Sequence, residues 1–187
     1  TVRRFLAAAL LGALLFSDCT AGKDQPSFSF VFMTDIHLTE DRNAREGFRQ
    51  AIESVNALDP KPEFVITGGD NIMDALGQGF EHADSLYSMY LRDIQGFDMQ
   101  VYSCIGNHEF FGVYRNSGVS PDHPDFAEKM FLRHMDMETP YMSFDHKGCH
   151  FVLLNSVAVT PERTYTGHID EDQLRWLAAD LEENGSR

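Results

Sequence analysis

The fold of this 187-residue chain is decided by the stretch Glu63-Phe64-Val65-Ile66-Thr67-Gly68-Gly69-Asp70-Asn71, in which an apolar run ends directly in glycines and a carboxylate. The β-branched and aromatic content of residues 63–67 predicts a strand. Two further strand-like runs end in the polar clusters Asp35-Ile36-His37 and Gly106-Asn107-His108-Glu109. Because the ends of neighbouring parallel strands meet at one edge of an open α/β sheet, we expect the three clusters to converge.

Strand-like and helix-like segments alternate through the first part of the sequence. Residues 28–33 and 99–105 predict the two other strands. Asn43 followed by Glu46 resembles a capping pair, and the helix that it opens has the apolar positions Phe48, Ala51, Ile52, Val55 and Leu58. Residues 80–94 also carry apolar side chains at helical spacing. This order predicts an α/β fold with a mainly parallel sheet and helices on its faces.

The later part of the sequence predicts a short helix, a hairpin and a final helix. The short helix is expected at residues 126–132, and residues 141–145 and 149–154 are expected to pair as a hairpin. Asp170 with Gln173 resembles a second capping pair. The buried stripe of the final helix is predicted to consist of Leu174, Leu177, Ala178 and Leu181.

Composition limits the class of protein and of partner. Hydrophobic residues make up 43% of the chain, which is enough for the core of one domain and excludes a disordered chain. With 15 Lys and Arg against 29 Asp and Glu, the formal charge is −14, so extended binding to nucleic acid is not expected. Cys104 and Cys149 lie in strand-like runs, and we expect both to be small buried hydrophobic residues.

The N-terminal segment is typical of an export signal. Arg3 and Arg4 precede the apolar residues 5–16, a run shorter than the ~20 residues that a membrane-spanning helix needs. Residues 1–21 are therefore predicted to be a signal peptide or a lipoprotein signal, the latter with membrane attachment through a lipidated Cys19. The expected location is the periplasm or, lipid-anchored, the cell envelope. The alternative of an N-terminal core helix stays open.

The polar clusters contain the donors that metal ions bind. Asp35 and His37 alternate along an extended segment, so both side chains can face one ion. Asp70 offers two oxygens that can bridge two cations, and the glycines before it allow close backbone approach. Asn107 and His108 add an amide oxygen and an imidazole. Each cluster alone is typical of a turn, whereas the three together predict a metal site.

The order of these clusters, followed by Leu154-Asn155-Ser156, resembles the calcineurin-like metallophosphoesterase superfamily over residues 28–183. The resemblance implies a β-sandwich flanked by helices, in α-β-β-α order, and assigns residues 22–187 to a metallophosphoesterase domain whose C-terminal part is missing. It implies that Asp35 and His37 bind one metal, that Asp70 bridges two, and that Asn107 binds the second. His108 is then the catalytic residue beside the phosphate.

The resemblance also implies the chemistry. Two divalent or trivalent ions, of Mn, Fe or Zn, would hold a small phosphoester, either a diester or a monoester, and a metal-bound hydroxide would attack its phosphorus. Members of the superfamily add histidines from two later segments that this sequence does not contain, so little or no turnover is expected from residues 1–187. None of the remaining histidines, His168 included, is expected to replace them. A non-catalytic exported module that binds metal or phosphate is the alternative.

Overall fold

A computed structural model of the protein describes residues 27–185. Its central sheet has three parallel strands, β1 (Val31–Met33), β2 (Phe64–Thr67) and β3 (Gln100–Ser103), in the order β1-β2-β3. Val65 of β2 pairs with Val31 on one side and Val101 on the other. The predicted parallel sheet is confirmed, although the strands are shorter than the apolar runs that predicted them.

Helices α1 (Ala44–Asn56) and α2 (Phe80–Asp93) cover one face of this sheet. The predicted apolar face of α1 is largely confirmed, because Phe48, Ile52 and Val55 are buried, whereas Leu58 lies beyond the helix and is exposed. The predicted capping pair is wrong. Asn43 has left-handed backbone (φ 56°) and its side chain caps no N–H group, while Glu46 accepts hydrogen bonds from Arg49 and Gln50.

A two-stranded antiparallel hairpin, β4 (Met142–His146) with β5 (Cys149–Leu153), packs on the opposite face of the sheet. Side chains alternate along β2, so Val65 faces the helices while Phe64 and Ile66 pack against Leu153 of the hairpin. Aromatic rings fill this second layer, and those of Tyr102 and Phe144 stack with centroids 3.8 Å apart. The hairpin is confirmed at its predicted place.

The outer layer beyond the hairpin is the final helix. The chain reaches it through α3 (Lys129–Met135) and a second hairpin, β6 (Val157–Val159) with β7 (Tyr165–Gly167), and then forms α4 (Glu171–Asn184). Asp180 of α4 accepts a hydrogen bond from Ser143 of β4 at 2.6 Å. The layers therefore follow the predicted α-β-β-α order, and the α/β fold class is confirmed. The short helix α3 begins three residues later than expected.

The predicted buried stripe of α4 is wrong. Leu174 and Leu181 are 48% and 49% exposed, and the fully buried residue of this helix is Gln173. The side-chain amide of Gln173 accepts the N–H of Asn155 and donates to its carbonyl, both at 2.8 Å. Half of the predicted capping pair is confirmed, because Asp170 accepts the N–H of Gln173 at 2.8 Å. The polar side chain of Gln173 thus anchors α4 to the backbone of Asn155.

The described residues test the predictions for the two cysteines but do not include the predicted export signal. Cys104 is partly buried, and burial raises the pKa of its thiol to about 11. Cys149 is exposed at the start of β5, so its expected burial is wrong. The predicted export signal, with Cys19, lies outside the described residues. Between residues 27 and 185, no helix combines the length and the apolar composition needed to cross a bilayer.

Candidate metal centre

The carboxyl ends of β1 and β2 run on side by side past the last strand residues. The N–H of His37 donates to the carbonyl of Asp70 at 2.9 Å, and Leu38 pairs with Ile72 in an isolated parallel bridge. The first two polar clusters therefore continue the sheet's register instead of separating into free loops. This places the side chains of His37 and Asp70 at the same edge, as the sequence predicted.

The backbone at this edge is strongly turned. Asp35, His37 and Asp70 have positive φ angles of 56°, 47° and 52°, in the left-handed region that few non-glycine residues occupy. Such residues cost on the order of 1 kcal/mol or more and persist where surrounding contacts fix them. Here the turns break the strict alternation of an extended strand and redirect the side chains at the strand ends.

Glycines allow the third cluster to approach the second. A Cβ atom at Gly106 would overlap both the backbone nitrogen and the Oδ1 of Asp70. A Cβ at Gly69, which has φ 96°, would lie 2.8 Å from the backbone of Gly106. The loops after β2 and β3 are therefore in direct backbone contact, and a side chain at either glycine would separate them.

The donors that converge are His37, Asp70 and His108, whose ligand atoms all lie within 4.8 Å of one another. The Nε2 of His37 is 3.6 Å from Oδ2 of Asp70, and the two imidazole rings lie 4.5 Å apart between centroids. Oδ1 of Asp70 accepts the backbone N–H of His108 at 3.1 Å, which fixes the carboxylate and leaves Oδ2 turned toward His37.

Two imidazole nitrogens of this cluster have no hydrogen-bond partner in the described part of the chain. Nε2 of His37 and Nδ1 of His108 are buried, and neither hydrogen-bonds to any residue among 27–185. Buried polar atoms without a partner are rare in folded proteins and call for an explanation. A cation next to the Asp70 carboxylate would satisfy both nitrogens, so the donor set fits a metal ion that accepts mixed nitrogen and oxygen ligands.

A sequence model of the calcineurin-like phosphoesterases matches residues 28–182 of the chain. The chain belongs to this family. A comparison with curated proteins gives no match. Membership places the protein among metal-dependent phosphoester hydrolases in general terms, and the cluster of His37, Asp70 and His108 is a candidate metal site in this domain.

In this calcineurin-like phosphoesterase domain, Glu109 holds the loops of the centre together. The side chain is fully buried, and its oxygens accept the backbone N–H groups of Gly106 and Asn71 at 2.7 Å and of Asp70 and Ile72 at 3.0 and 3.1 Å. Burial raises the pKa of Glu109 to about 7, helped by the nearby charge of Asp70 and opposed by these N–H donors.

In the sequence, Glu109 is the last residue of the third polar cluster, directly after His108. The feature that distinguishes it is its place at the head of the apolar run Phe110-Phe111, both of which are buried. A carboxylate between a metal-type motif and a core segment faces inward, where it must find donors. The structure shows that these donors are the backbone N–H groups of both adjoining loops.

Asp35 and Asn107, the other two predicted metal ligands, are not among the three clustered donors of the phosphoesterase centre, which were identified among His, Cys, Asp and Glu side chains. Asp35 is exposed, its Oδ2 accepts a hydrogen bond from the Thr34 hydroxyl at 2.9 Å, and its carboxylate does not join the three clustered donors. Asn107 begins a single-turn 3₁₀ helix, and its amide hydrogen-bonds to no residue among 27–185. The assignment of both residues as metal ligands stays a prediction.

The other histidines of the phosphoesterase domain have structural partners or lie at the surface. His134 stacks on Tyr87 and pairs with Asp84, while His150 lies between Asp145 and Asp180. His146 pairs with Glu63 at 2.5 Å, and His168 is exposed. Within the described part of the chain, none of these imidazoles joins a further group of metal-type donors.

Proposed function

We propose that the chain hydrolyses phosphodiesters or phosphomonoesters of small molecules with two metal ions bound at this centre. The observation that carries the proposal is the pair of unpartnered imidazole nitrogens, on His37 and His108, beside the Asp70 carboxylate. Family membership supports the general class of reaction. The substrate and the number of metal ions are part of the proposal.

In the proposed mechanism, His37 and Asp70 hold the metal, and Asp35 and Asn107 complete the ligand sets of the two ions. The bound ions would supply charge neutralisation at the phosphoryl oxygens and a water of lowered pKa as nucleophile. Mixed carboxylate, amide and imidazole donors suit Mn, Fe or Zn better than Mg or Ca, which prefer oxygen ligands alone.

His108 and Glu109 act through different atoms. The backbone N–H of His108 orients Asp70, and its imidazole lies close enough to the cluster to donate to a phosphoryl oxygen or to protonate the leaving alkoxide. Glu109 does not reach the substrate in this scheme. It fixes the relative position of the loops after β2 and β3 through four N–H groups, and it is therefore a positioning residue.

The alternative is a module that binds metal or phosphate without catalysis. It is favoured by the exposed position of Asp35, whose carboxylate is turned to Thr34 instead of to the cluster. Both functions require metal binding at Asp70, so metal binding alone does not separate them. Turnover of a phosphoester does.

The test is hydrolysis of bis(p-nitrophenyl) phosphate and p-nitrophenyl phosphate by the full chain with added Mn²⁺, Zn²⁺ or Fe²⁺. We expect at most slow, metal-dependent release of p-nitrophenolate, in keeping with the low turnover expected from residues 1–187. Asp70→Asn and His108→Asn should each reduce this rate by at least about 100-fold, the scale of losing one charge-stabilising group. Asp122→Asn and His168→Asn, at exposed positions away from the centre, are matched controls. A metal-loaded chain that hydrolyses neither ester would favour the binding module.

Export is a separate proposal that rests on the sequence of residues 1–21. Arg3, Arg4 and the apolar residues 5–16 support a signal peptide, and Cys19 supports lipid attachment. Expression with its own N-terminus in a bacterial host should yield a protein shortened by about 20 residues in the periplasmic or envelope fraction. Mass spectrometry of the new N-terminus distinguishes a lipidated cysteine from ordinary cleavage, and an uncleaved cytosolic chain would contradict the proposal.

A further inference from the structure

A cavity of about 430 Å³ with both polar and apolar walls opens directly beside the metal centre, and His37 lines both the cavity and the centre. Its walls come from two loops. One runs from the end of β1 to α1 and contributes Thr39, Asp41 and Arg42; the other runs from the end of β2 to α2 and contributes Asp74 and Gln78. The loops diverge from the Leu38–Ile72 bridge, so the cavity is a direct continuation of the strands that carry His37 and Asp70.

Side chains of this cavity are free to bind a ligand. Among residues 27–185, the guanidinium of Arg42, the amide of Gln78 and the imidazole of His82 make no hydrogen bond or ion pair. Asp74 uses only Oδ1, which accepts the N–H of Leu76 at 2.6 Å. The cavity therefore presents unpaired donors and acceptors from opposite walls, next to the place where a phosphoryl group would be held.

The side chains that line the cavity indicate which class of ligand it binds. The lining contains two carboxylates, a guanidinium, an amide, a hydroxyl and two imidazoles beside the apolar Ile36, Ala44 and Met73, but no Phe, Tyr or Trp. A nucleobase would find no Phe, Tyr or Trp ring to stack on here, only the imidazoles of His37 and His82 and the guanidinium of Arg42. Carboxylates at Asp41 and Asp74 accept from hydroxyl groups, and Arg42 and Gln78 donate to them, which together match a ligand with several hydroxyls.

We propose that this cavity binds the alcohol portion of the ester and that this portion is a small polyol, such as a glycerol or sugar unit. The proposal rests on the phosphoester hydrolysis proposed above, because that function places a phosphoryl group at His37. Asp41, Arg42, Asp74 and Gln78 then determine specificity through the hydroxyls of the substrate. They act beside the metal centre and take no part in holding the ions.

The experiment compares three ligands on the Mn²⁺-loaded full chain by isothermal titration calorimetry: inorganic phosphate, sn-glycerol 3-phosphate and adenosine 5′-monophosphate. We expect sn-glycerol 3-phosphate to bind about tenfold more tightly than inorganic phosphate, and more tightly than the nucleotide. Gln78→Ala should weaken glycerol phosphate binding about fivefold and Arg42→Ala about tenfold, the values for one neutral and one charged hydrogen bond. Both losses should exceed any change in phosphate binding.

Matched controls are Gln95→Ala and Arg92→Ala, at exposed positions outside the cavity, which should leave all three affinities unchanged. Equal affinity for glycerol phosphate and phosphate, or tighter binding of the nucleotide, would overturn the polyol proposal. So would equal losses for both ligands in the variants. Selective glycerol phosphate binding without hydrolysis of any ester would support the cavity assignment and count against the proposed hydrolase. Failure to bind any of the three would overturn both.

Discussion

At the scale of single residues, the centre depends on a glycine and a buried carboxylate that bind no ligand themselves. Gly106 allows the loop after β3 to touch the backbone of Asp70, and Glu109 ties both loops through their N–H groups. Asp70, the proposed metal ligand, is therefore fixed from two sides, by contact with Gly106 and by the N–H of His108. A change at either supporting residue should disturb metal binding without removing a ligand.

Gly106→Ala should lower the free energy of unfolding by about 2 kcal/mol or more, because the new Cβ overlaps Asp70 and the loops must separate. Affinity for Mn²⁺ should fall at least tenfold. Gly47→Ala is the matched control: it lies inside α1 with open space at the Cβ, so it should stabilise by about 0.5–1 kcal/mol. Urea unfolding and Mn²⁺ titration measure both effects, and equal behaviour of the two variants would contradict the account.

Glu109→Gln should destabilise the fold by about 2 kcal/mol, because one carboxylate oxygen becomes an NH₂ group facing backbone N–H donors in a fully buried site. The exposed Glu138→Gln serves as control and should change the free energy of unfolding by less than about 0.5 kcal/mol. Urea denaturation at fixed pH measures the difference. A Glu109→Gln protein as stable as the control would show that the four hydrogen bonds do not hold the loops.

At the scale of elements, α4 is attached to the β4-β5 hairpin by polar contacts. His150 of β5 lies between Asp145 of β4, at 2.8 Å, and Asp180 of α4, at 2.6 Å. Asp180 and then Asp145 raise the pKa of His150, while the Ser143 hydroxyl and then His150 lower the pKa of Asp180. The imidazole of His150 thus links the last helix to the sheet layers.

The stability of this attachment should depend on pH in a defined direction. A raised pKa means that His150 stabilises the fold below its unfolded pKa of about 6.5 and loses this contribution as pH rises through the folded value. The pKa of Asp180 is lowered, so the stabilisation that this carboxylate contributes has the opposite pH dependence. It is lost only as pH falls below about 4. The attachment should therefore be strongest between about pH 4 and 6.5.

We expect the free energy of unfolding to fall between pH 6 and pH 9, and to fall less in His150→Gln than in the parent chain. The single tryptophan, Trp176, lies on α4 against Tyr141, with ring centroids 4.7 Å apart, so its fluorescence reports on this helix. His168→Gln, at an exposed position, is the control. An unchanged pH dependence in His150→Gln would exclude this imidazole as the link.

Helices whose apolar side chains recur at regular spacing were predictable from the sequence, whereas the polar contacts that anchor α4 were not. The faces of α1 and α2 follow from helical spacing because their apolar side chains pack directly on the sheet. The stripe Leu174–Leu181 has the same spacing, yet α4 turns Gln173 inward, because its amide satisfies both backbone groups of Asn155. This pairing depends on where the fold places a residue 18 positions away in the sequence. The spacing of apolar residues along α4 carries no information about that position.

The metal centre was likewise predictable only in part. The residue types and their places after strands indicated His37, Asp70 and His108 together, because parallel strand ends must meet. The position of Asp35 depends on a left-handed turn and on a hydrogen bond from Thr34, which spacing along the chain does not encode. The role of Glu109 required knowing that two loops would place four N–H groups around it.

At the scale of the whole molecule, the edge of the central sheet at β1 leaves aromatic surface in water. Phe30 and Phe32 are 41% and 60% exposed, on the face that the β4-β5 hairpin covers at β2 and β3. An edge strand with exposed apolar side chains favours association between copies. The charge of −14 opposes such association at low salt, and added salt should screen this repulsion.

Phe32→Thr should therefore raise the protein concentration at which light scattering first detects aggregates, most clearly in high salt. Its free energy of unfolding should change by less than about 1 kcal/mol, since most of the ring is already exposed. Leu58→Thr, at a 49% exposed loop position away from the sheet edge, is the control and should leave the threshold unchanged. Equal effects of both substitutions would show that general hydrophobicity, and not the β1 edge, governs association.

The claim on which the whole account depends is that His37 and Asp70 bind metal at the cluster that they form with His108. Titration of the full chain with Mn²⁺, followed by electron paramagnetic resonance of the free ion, measures this directly. We predict saturable binding that Asp70→Asn weakens at least about 30-fold, the scale of about 2 kcal/mol, while Asp122→Asn binds like the parent chain. Equal Mn²⁺ affinity in the parent chain and in Asp70→Asn would contradict the account.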